Sequence, residues 1–404
     1  MSGATRSLLR TRKSHEHSRV TFVELFFDLV FVFAVTQLSH SMLEHLTIAG
    51  ALQTLLLFMA VWWVWIFTSW ATNWLDPDRI PVRLMLFVLM LAGLILSTSI
   101  PKAFEDRGLA FVGAYVAMQV GRSLFTMWCM RSHPQDGYRN FLRISIWFVF
   151  SGLFWLAGAF TEGQARFALW VVALAVEYTG PSAAFWCPGL GRSKVSEWDV
   201  EGGHLAERCG LFIIIALGES ILVTGATFAN LAWNASTIAA FLVAFVASVA
   251  MWWIYFNVGA ERASDTIAGS DDPGRFARLS YTYLHLPLVA GIIVTAVGDE
   301  LVLVHPADHT DLKTMLVVIG GPALYLLGNL LFKRSIGGSF ALSHTIGLIL
   351  LIVFAPAYLV LSPLALSAGT TLILILVAAW ETLSLRPSVP IPDESIVVAD
   401  SGSH

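Results

Sequence analysis

Of 404 residues, 56% are hydrophobic and only 13% charged, about half the charged share of a typical soluble domain, which excludes an ordinary globular enzyme or binding module. The formal net charge of −4 is spread along the chain and forms no basic patch. No nucleic-acid partner is expected.

Residues 1–20 form a basic tail, with Arg6, Arg10, Arg12, Lys13 and Arg19. A cluster of this kind ahead of an apolar run reads as a cytoplasmic anchor against anionic lipid. Apolar blocks of about 20 residues then recur, each long enough for one helical span. They fall near 21–43, 51–72, 82–100, 108–130, 141–160, 165–187, 204–227, 236–258, 277–298, 313–332, 340–361 and 364–385. The expectation is an all-α integral membrane protein with about twelve transmembrane helices. The first block is long, carries acids and lacks a small-residue cleavage site, so it is read as a persistent helix and not as a signal peptide.

Charge orients the chain. With the N-terminus placed in the cytoplasm, nineteen of the 24 basic residues fall on the inner side and four, Lys102, Arg107, Arg166 and Lys313, on the outer side. Arg122 lies within a span. This bias predicts twelve spans with both termini cytoplasmic. Cys129, Cys187 and Cys209 fall at cytoplasmic ends of spans, where thiols stay reduced, so no disulfide is expected.

The first span, RVTFVELFFDLVFVFAVTQLSH (19–40), holds Glu24 and Asp28 one helical turn apart. Carboxylates near hydrocarbon are costly and mark function or tight pairing. At i and i+4 they share a face and repel when both are ionised. Either Arg122 compensates them or one holds a proton.

The two halves of the chain correspond in order. Glu24 matches Glu207, Trp62-Trp63 matches Trp252-Trp253, and Leu91–Ile95 matches Val289–Ile293. Gly121–Phe125 matches Gly328–Phe332, and Ala175-Val176-Glu177 matches Ala379-Trp380-Glu381. Six spans per unit is an even number, so the two repeats insert in parallel, related by an axis along the membrane normal. The domains are then a first repeat over 21–187, a cytoplasmic linker over 188–203, a second repeat over 204–385 and a disordered tail over 386–404.

Asp28 corresponds to Leu211 and Arg122 to Asn329, so one half has both charges and the other neither. The two are therefore expected to pair. Glu219, deep in the seventh span and matched by Thr36, is the mid-membrane proton candidate. His40, His204, His285 and His344 make no metal motif, and each reads as a packing or interface residue. Trp62, Trp63, Trp65, Trp70 and Trp74 read as interfacial anchors. The loop 259–276 has three aspartates without the spacing of a calcium loop. No nucleotide fingerprint or nucleophile elbow is present. No cofactor, metal or catalytic residue is expected, and the chain is not read as an enzyme.

The runs FVELFFDLVFVFAVTQLSH (22–40) and ERCGLFIIIALGESIL (207–222) resemble the bacterial low-temperature-requirement A protein family, over essentially the whole membrane portion. That resemblance implies an integral membrane protein of unestablished biochemistry in the inner membrane of a bacterium. The order Glu24, Phe26, Asp28, Val30, Phe31, Ala34, Thr36, Leu38 is also similar to the first pore helix of endolysosomal-type potassium channels. Their R-x-x-x-F-S-D motif has Phe22 here in place of the arginine and Phe27 in place of the serine. This second resemblance implies pore-lining positions drawn from Val30 to Leu38 and from Ile213 to Leu222.

The functional expectation is conduction or transport of monovalent cations or protons along the first and seventh helices, through Glu24, Asp28, Thr36, Glu207 and Glu219, with Arg122 as charge partner. The alternatives are a proton-coupled transporter of a small organic solute and a membrane enzyme or lipid-modifying factor. The lipid bilayer is the expected surrounding partner, and a homo-oligomer is left open.

Overall fold

The computed structural model describes residues 7–10, 19–131, 135–194, 201–257, 278–337 and 340–384. Among them are twelve α-helices and no β-strand. In chain order they are α1 (Phe22–Glu44), α2 (Ile48–Trp74), α3 (Ile80–Ser99), α4 (Gly108–Met130), α5 (Gln135–Ala159), α6 (Gly163–Thr179), α7 (Gly202–Ala229), α8 (Ala235–Phe256), α9 (His285–Val304), α10 (Leu312–Gly337), α11 (Leu342–Phe354) and α12 (Pro363–Ser384). Helices satisfy every backbone donor and acceptor within the segment, as hydrocarbon requires. Their outward faces are correspondingly apolar and exposed, as at Leu84, Val88, Leu153 and Leu372.

Eleven of the twelve are long and apolar enough to cross a bilayer. The exception is α6, with 17 residues, or about 25 Å. The expected span at 165–187 stops early because Gly180 caps the helix and Pro181 cannot continue it. Beyond it the chain turns through Ala184 and Phe185 at positive φ. A short 3-10 turn at Ala355–Leu359 extends α11, and a π-turn at Arg278–Tyr283 leads into α9.

Packing runs in a repeated order. α1 lies on α2 and α3, α3 on α4, α4 on α5, α5 on α6, and α2 reaches α4 and α6. From α7 onward the same neighbours recur: α7 on α8 and α9, α9 on α10, α10 on α11, α11 on α12, and α8 on α10 and α12. The two sets meet where α1 packs on α7 and α9, and where α2 packs on α7 and α9.

Burial corrects one expectation and adds detail to two others. Trp62, Trp63 and Trp65 are not interfacial anchors; they are fully enclosed because α2 is a central helix. Trp62 donates to the Thr282 carbonyl (2.7 Å) and Trp70 to the Thr282 hydroxyl (2.9 Å), tying α2 to the π-turn before α9. Arg208, counted above among the inner-side charges, is buried within the bundle, and Lys333 is half-buried against Glu381. Residues 7–10 of the basic tail are folded against the protein: Arg10 N donates to Trp74 O and Asp76 N to Leu8 O.

The linker is partly anchored. Arg143 on α5 donates to the Leu190 carbonyl (2.8 Å), and Ser193 donates to Asn140 (2.6 Å). The aspartate-bearing loop at 259–276 and the tail 386–404 lie outside the described residues.

Candidate functional site

The first helix starts at a capping box. Thr21 stands at the N-cap, and its backbone N–H donates to the carboxylate of Glu24, three residues on (2.9 Å). The same carboxylate receives Arg10 Nη2 on Oε2 (3.0 Å) and meets His204 Nε2 on Oε1 (2.9 Å). His204 belongs to α7, and its Nδ1 faces the Asn73 amide (3.4 Å). The tautomer that fits carries its proton on Nε2, donating to Glu24 and accepting from Asn73 on Nδ1. Arg10 also donates through Nε to the Thr72 and Leu75 carbonyls, which caps the open end of α2. One carboxylate thus gathers α1, α2, α7 and the N-terminal tail.

Asp28 sits one turn deeper and is fully enclosed. Its Oδ1 accepts from Trp65 Nε1 (2.7 Å) on α2 and from Arg208 Nη2 (2.8 Å) on α7. Arg208 also reaches Ser69 Oγ (3.2 Å), and its guanidinium lies 5.6 Å from the Trp65 ring centroid. Asp28 Oδ2 and Arg208 Nη1 have no partner. The junction is therefore a charged pair with one free acceptor and one free donor.

The expected Asp28–Arg122 pair does not form. α4 packs on α2, α3 and α5, which turns Arg122 away from α1. It donates to the Val64 carbonyl (3.2 Å) and Thr68 hydroxyl (3.1 Å) of α2 and to Gln119. Gln119 in turn reaches Glu177 on α6 (3.4 Å), whose carboxylate also accepts from Tyr115, Ser151 and Trp155.

The second half holds a counterpart that the residue-by-residue comparison missed. Lys333 on α10 pairs with Glu381 on α12 and donates to the Ile254 carbonyl of α8 (3.2 Å). Glu381 corresponds to Glu177 and Ile254 to Val64. The cation has moved one turn along its helix, from the Arg122 position at Asn329 to Lys333. His344 on α11 completes this group, 3.3 Å from the Lys333 ammonium.

Glu207 is exposed at the end of α7 and accepts from the backbone N–H of Val20 (3.1 Å). Glu219 lies about 16 Å beyond Arg208 along α7 and is 2% exposed, with neither carboxylate oxygen hydrogen-bonded. It faces Thr36 on α1 and Glu300 on α9. The Thr36 hydroxyl donates to the Val32 carbonyl (3.1 Å) and stands beside the Glu219 carboxyl. Among the described residues no cluster of three or more His, Cys, Asp or Glu side chains is placed to hold a metal ion.

Sequence reasoning brought Glu24, Asp28, Thr36 and Glu219 to the α1–α7 contact. It missed His204 and Arg208, which complete the two acid sites. The signal was available: both stand within one turn of Glu207 on α7, the helix already matched to α1.

The family model described as bacterial low temperature requirement A protein matches residues 19–379. An uncharacterized protein of Rhizobium meliloti (strain 1021) is 42% identical over 376 residues, covering 93% of this chain and 92% of its own length. No solved structure matches the chain.

Proposed function

The chain belongs to the bacterial low temperature requirement A protein family, and we propose that this multi-pass bacterial membrane protein moves monovalent cations or protons along the contact between α1 and α7. The observation that carries this reading is Glu219, a buried carboxyl with both oxygens unpartnered on the helix that packs on α1. A static structural acid would hold hydrogen bonds, because a buried unsatisfied carboxyl is costly. An acid that takes up and releases a cation or proton must instead leave its oxygens open. In this reading Asp28 and Arg208 form the gate on the side of Glu24 and Glu207. Their free Oδ2 and Nη1 allow the pair to exchange partners without losing every bond at once.

The architecture proposed for this path is two parallel six-helix repeats, with both termini cytoplasmic, in the inner membrane. Three observations support it. Helix neighbours recur in the same order in both halves. Arg122–Val64 and Lys333–Ile254 place a cation against the corresponding carbonyl. Thr36 and Glu219, which occupy matched positions, meet across the α1–α7 contact, as matched residues do near a two-fold axis. An even count requires α6 to cross as well, despite its 17 residues.

The test is ion flux into liposomes containing the purified protein, with sodium, potassium and proton gradients imposed in turn. Selective flux that falls at least tenfold in Glu219→Gln, with the variant still monodisperse, is the expected result. Flux unchanged in Glu219→Gln would overturn the path. Saturable, proton-coupled uptake of an organic solute in place of ion flux would make the protein a carrier.

A further inference from the structure

A second buried carboxyl lies away from this path. Asp299 on α9 is enclosed, and its Oδ2 has no hydrogen-bond partner. It lines a cavity of about 10 Å³ between α8, α9, α10 and α12, room for one water-sized species. Four hydroxyl side chains line the same space: Thr295 from α9, and Ser367, Thr370 and Thr371 from α12. Thr370 Oγ1 is also buried and unpartnered. Thr295 donates its hydrogen to the Gly291 carbonyl (2.8 Å), which leaves its oxygen lone pairs for another species.

The backbone contributes too. Pro322, inside α10, has no N–H to give the Val318 carbonyl four residues earlier, and both residues line the cavity. Interrupted helices that free carbonyls at membrane depth are a recurring means of holding small cations. The neighbouring Glu300 lies close enough to Glu219 to act on its charge and does not line this cavity.

We propose that this cavity is a binding site for a single dehydrated sodium ion, held by Asp299 and the hydroxyls of Thr295, Ser367, Thr370 and Thr371. All the donors are hard oxygens, which suit an alkali or alkaline-earth cation and not a transition metal. One carboxylate balances one positive charge, and no cationic side chain lines the cavity. Magnesium keeps several of its waters, for which there is no space, and of the alkali ions sodium has the higher charge density to set against one carboxylate and neutral hydroxyls. The site does not depend on the path proposed for α1 and α7.

The experiment is thermal unfolding of the purified full chain in detergent, with sodium chloride exchanged for choline chloride at constant ionic strength and with potassium as comparison. Sodium is expected to raise Tm saturably, with potassium far weaker. Asp299→Asn should abolish the shift, and Thr370→Val should move its midpoint to roughly tenfold higher sodium. Glu219→Gln should keep the shift, which separates this site from the α1–α7 path. Size-exclusion profiles establish that each variant is folded. A Tm indifferent to sodium, a shift that survives Asp299→Asn, or stabilisation that follows pH alone would each overturn the proposal, the last by showing that the carboxyl takes a proton.

Discussion

Asp28 and Arg208 share one bond while each keeps one polar atom unpartnered, so their value to the fold is set by what happens when one is removed. Breaking a buried pair strands the remaining charge and costs about 3–5 kcal/mol, whereas replacing both partners by apolar groups is often close to neutral. Asp28→Leu alone is therefore expected to lower Tm sharply, and Asp28→Leu with Arg208→Met to recover most of the loss. If the double variant is no more stable than the single one, the pair is not a unit. The acid was legible in the sequence because a carboxylate inside an apolar block stands out. Its partner was not, because Arg208 lies near the end of its block, where basic residues usually face the cytoplasm. Linear position separates a snorkelling arginine from a buried one poorly, and only the packing of α7 against α1 and α2 decides which it is.

At the scale of elements, α9 and α10 form the closest helix pair, through glycines spaced by seven residues on each helix. A Cβ at Gly291 would stand 2.6 Å from Tyr325 N, and one at Gly321 would stand 2.5 Å from Thr295 Oγ1. Gly298 and Gly328 meet the facing backbone at 3.3 Å and 2.9 Å. Small residues of this kind let membrane helices approach and pack without a hydrophobic driving force. Gly291→Ala and Gly321→Ala are expected to destabilise the protein by about 1–3 kcal/mol, read as a fall in Tm. Gly113→Ala and Gly121→Ala, with nothing near the added carbon, should be neutral or gain up to about 1 kcal/mol from helix propensity. Equal effects at all four positions would remove the distinction between packed and open glycines. Most span boundaries were readable to within a few residues because hydrophobic length is a local property, but the end of α6 and the start of α9 fall about two turns from the expected places. The truncation of α6 was written in Gly180-Pro181, but twelve similar apolar blocks drew attention to length over punctuation.

For the whole molecule, the proposed two-fold arrangement predicts which residues come together and which side of the membrane each loop occupies. Thr36→Cys with Glu219→Cys should cross-link under mild oxidation. Glu105→Cys and Asp308→Cys should react with an impermeant thiol reagent added to intact spheroplasts, and Arg192→Cys only after permeabilisation. Labelling of Glu105→Cys and Asp308→Cys from opposite sides would refute a parallel repeat. Composition and apolar block length determined by themselves that the chain is a many-helix membrane protein, since burying about 20 apolar residues per segment in lipid needs no knowledge of neighbours. The acids proposed to act on the first and seventh helices followed from the same logic, because hydrocarbon makes any embedded charge informative. Which cation meets which acid was decided only by tertiary structure. Arg208 and not Arg122 reaches Asp28, Lys333 takes the counterpart position one turn from Asn329, and Asp299 finds its hydroxyls on a helix more than sixty residues away in sequence. A side chain's partner depends on helix rotation and crossing, and these are fixed by contacts between segments distant in the chain.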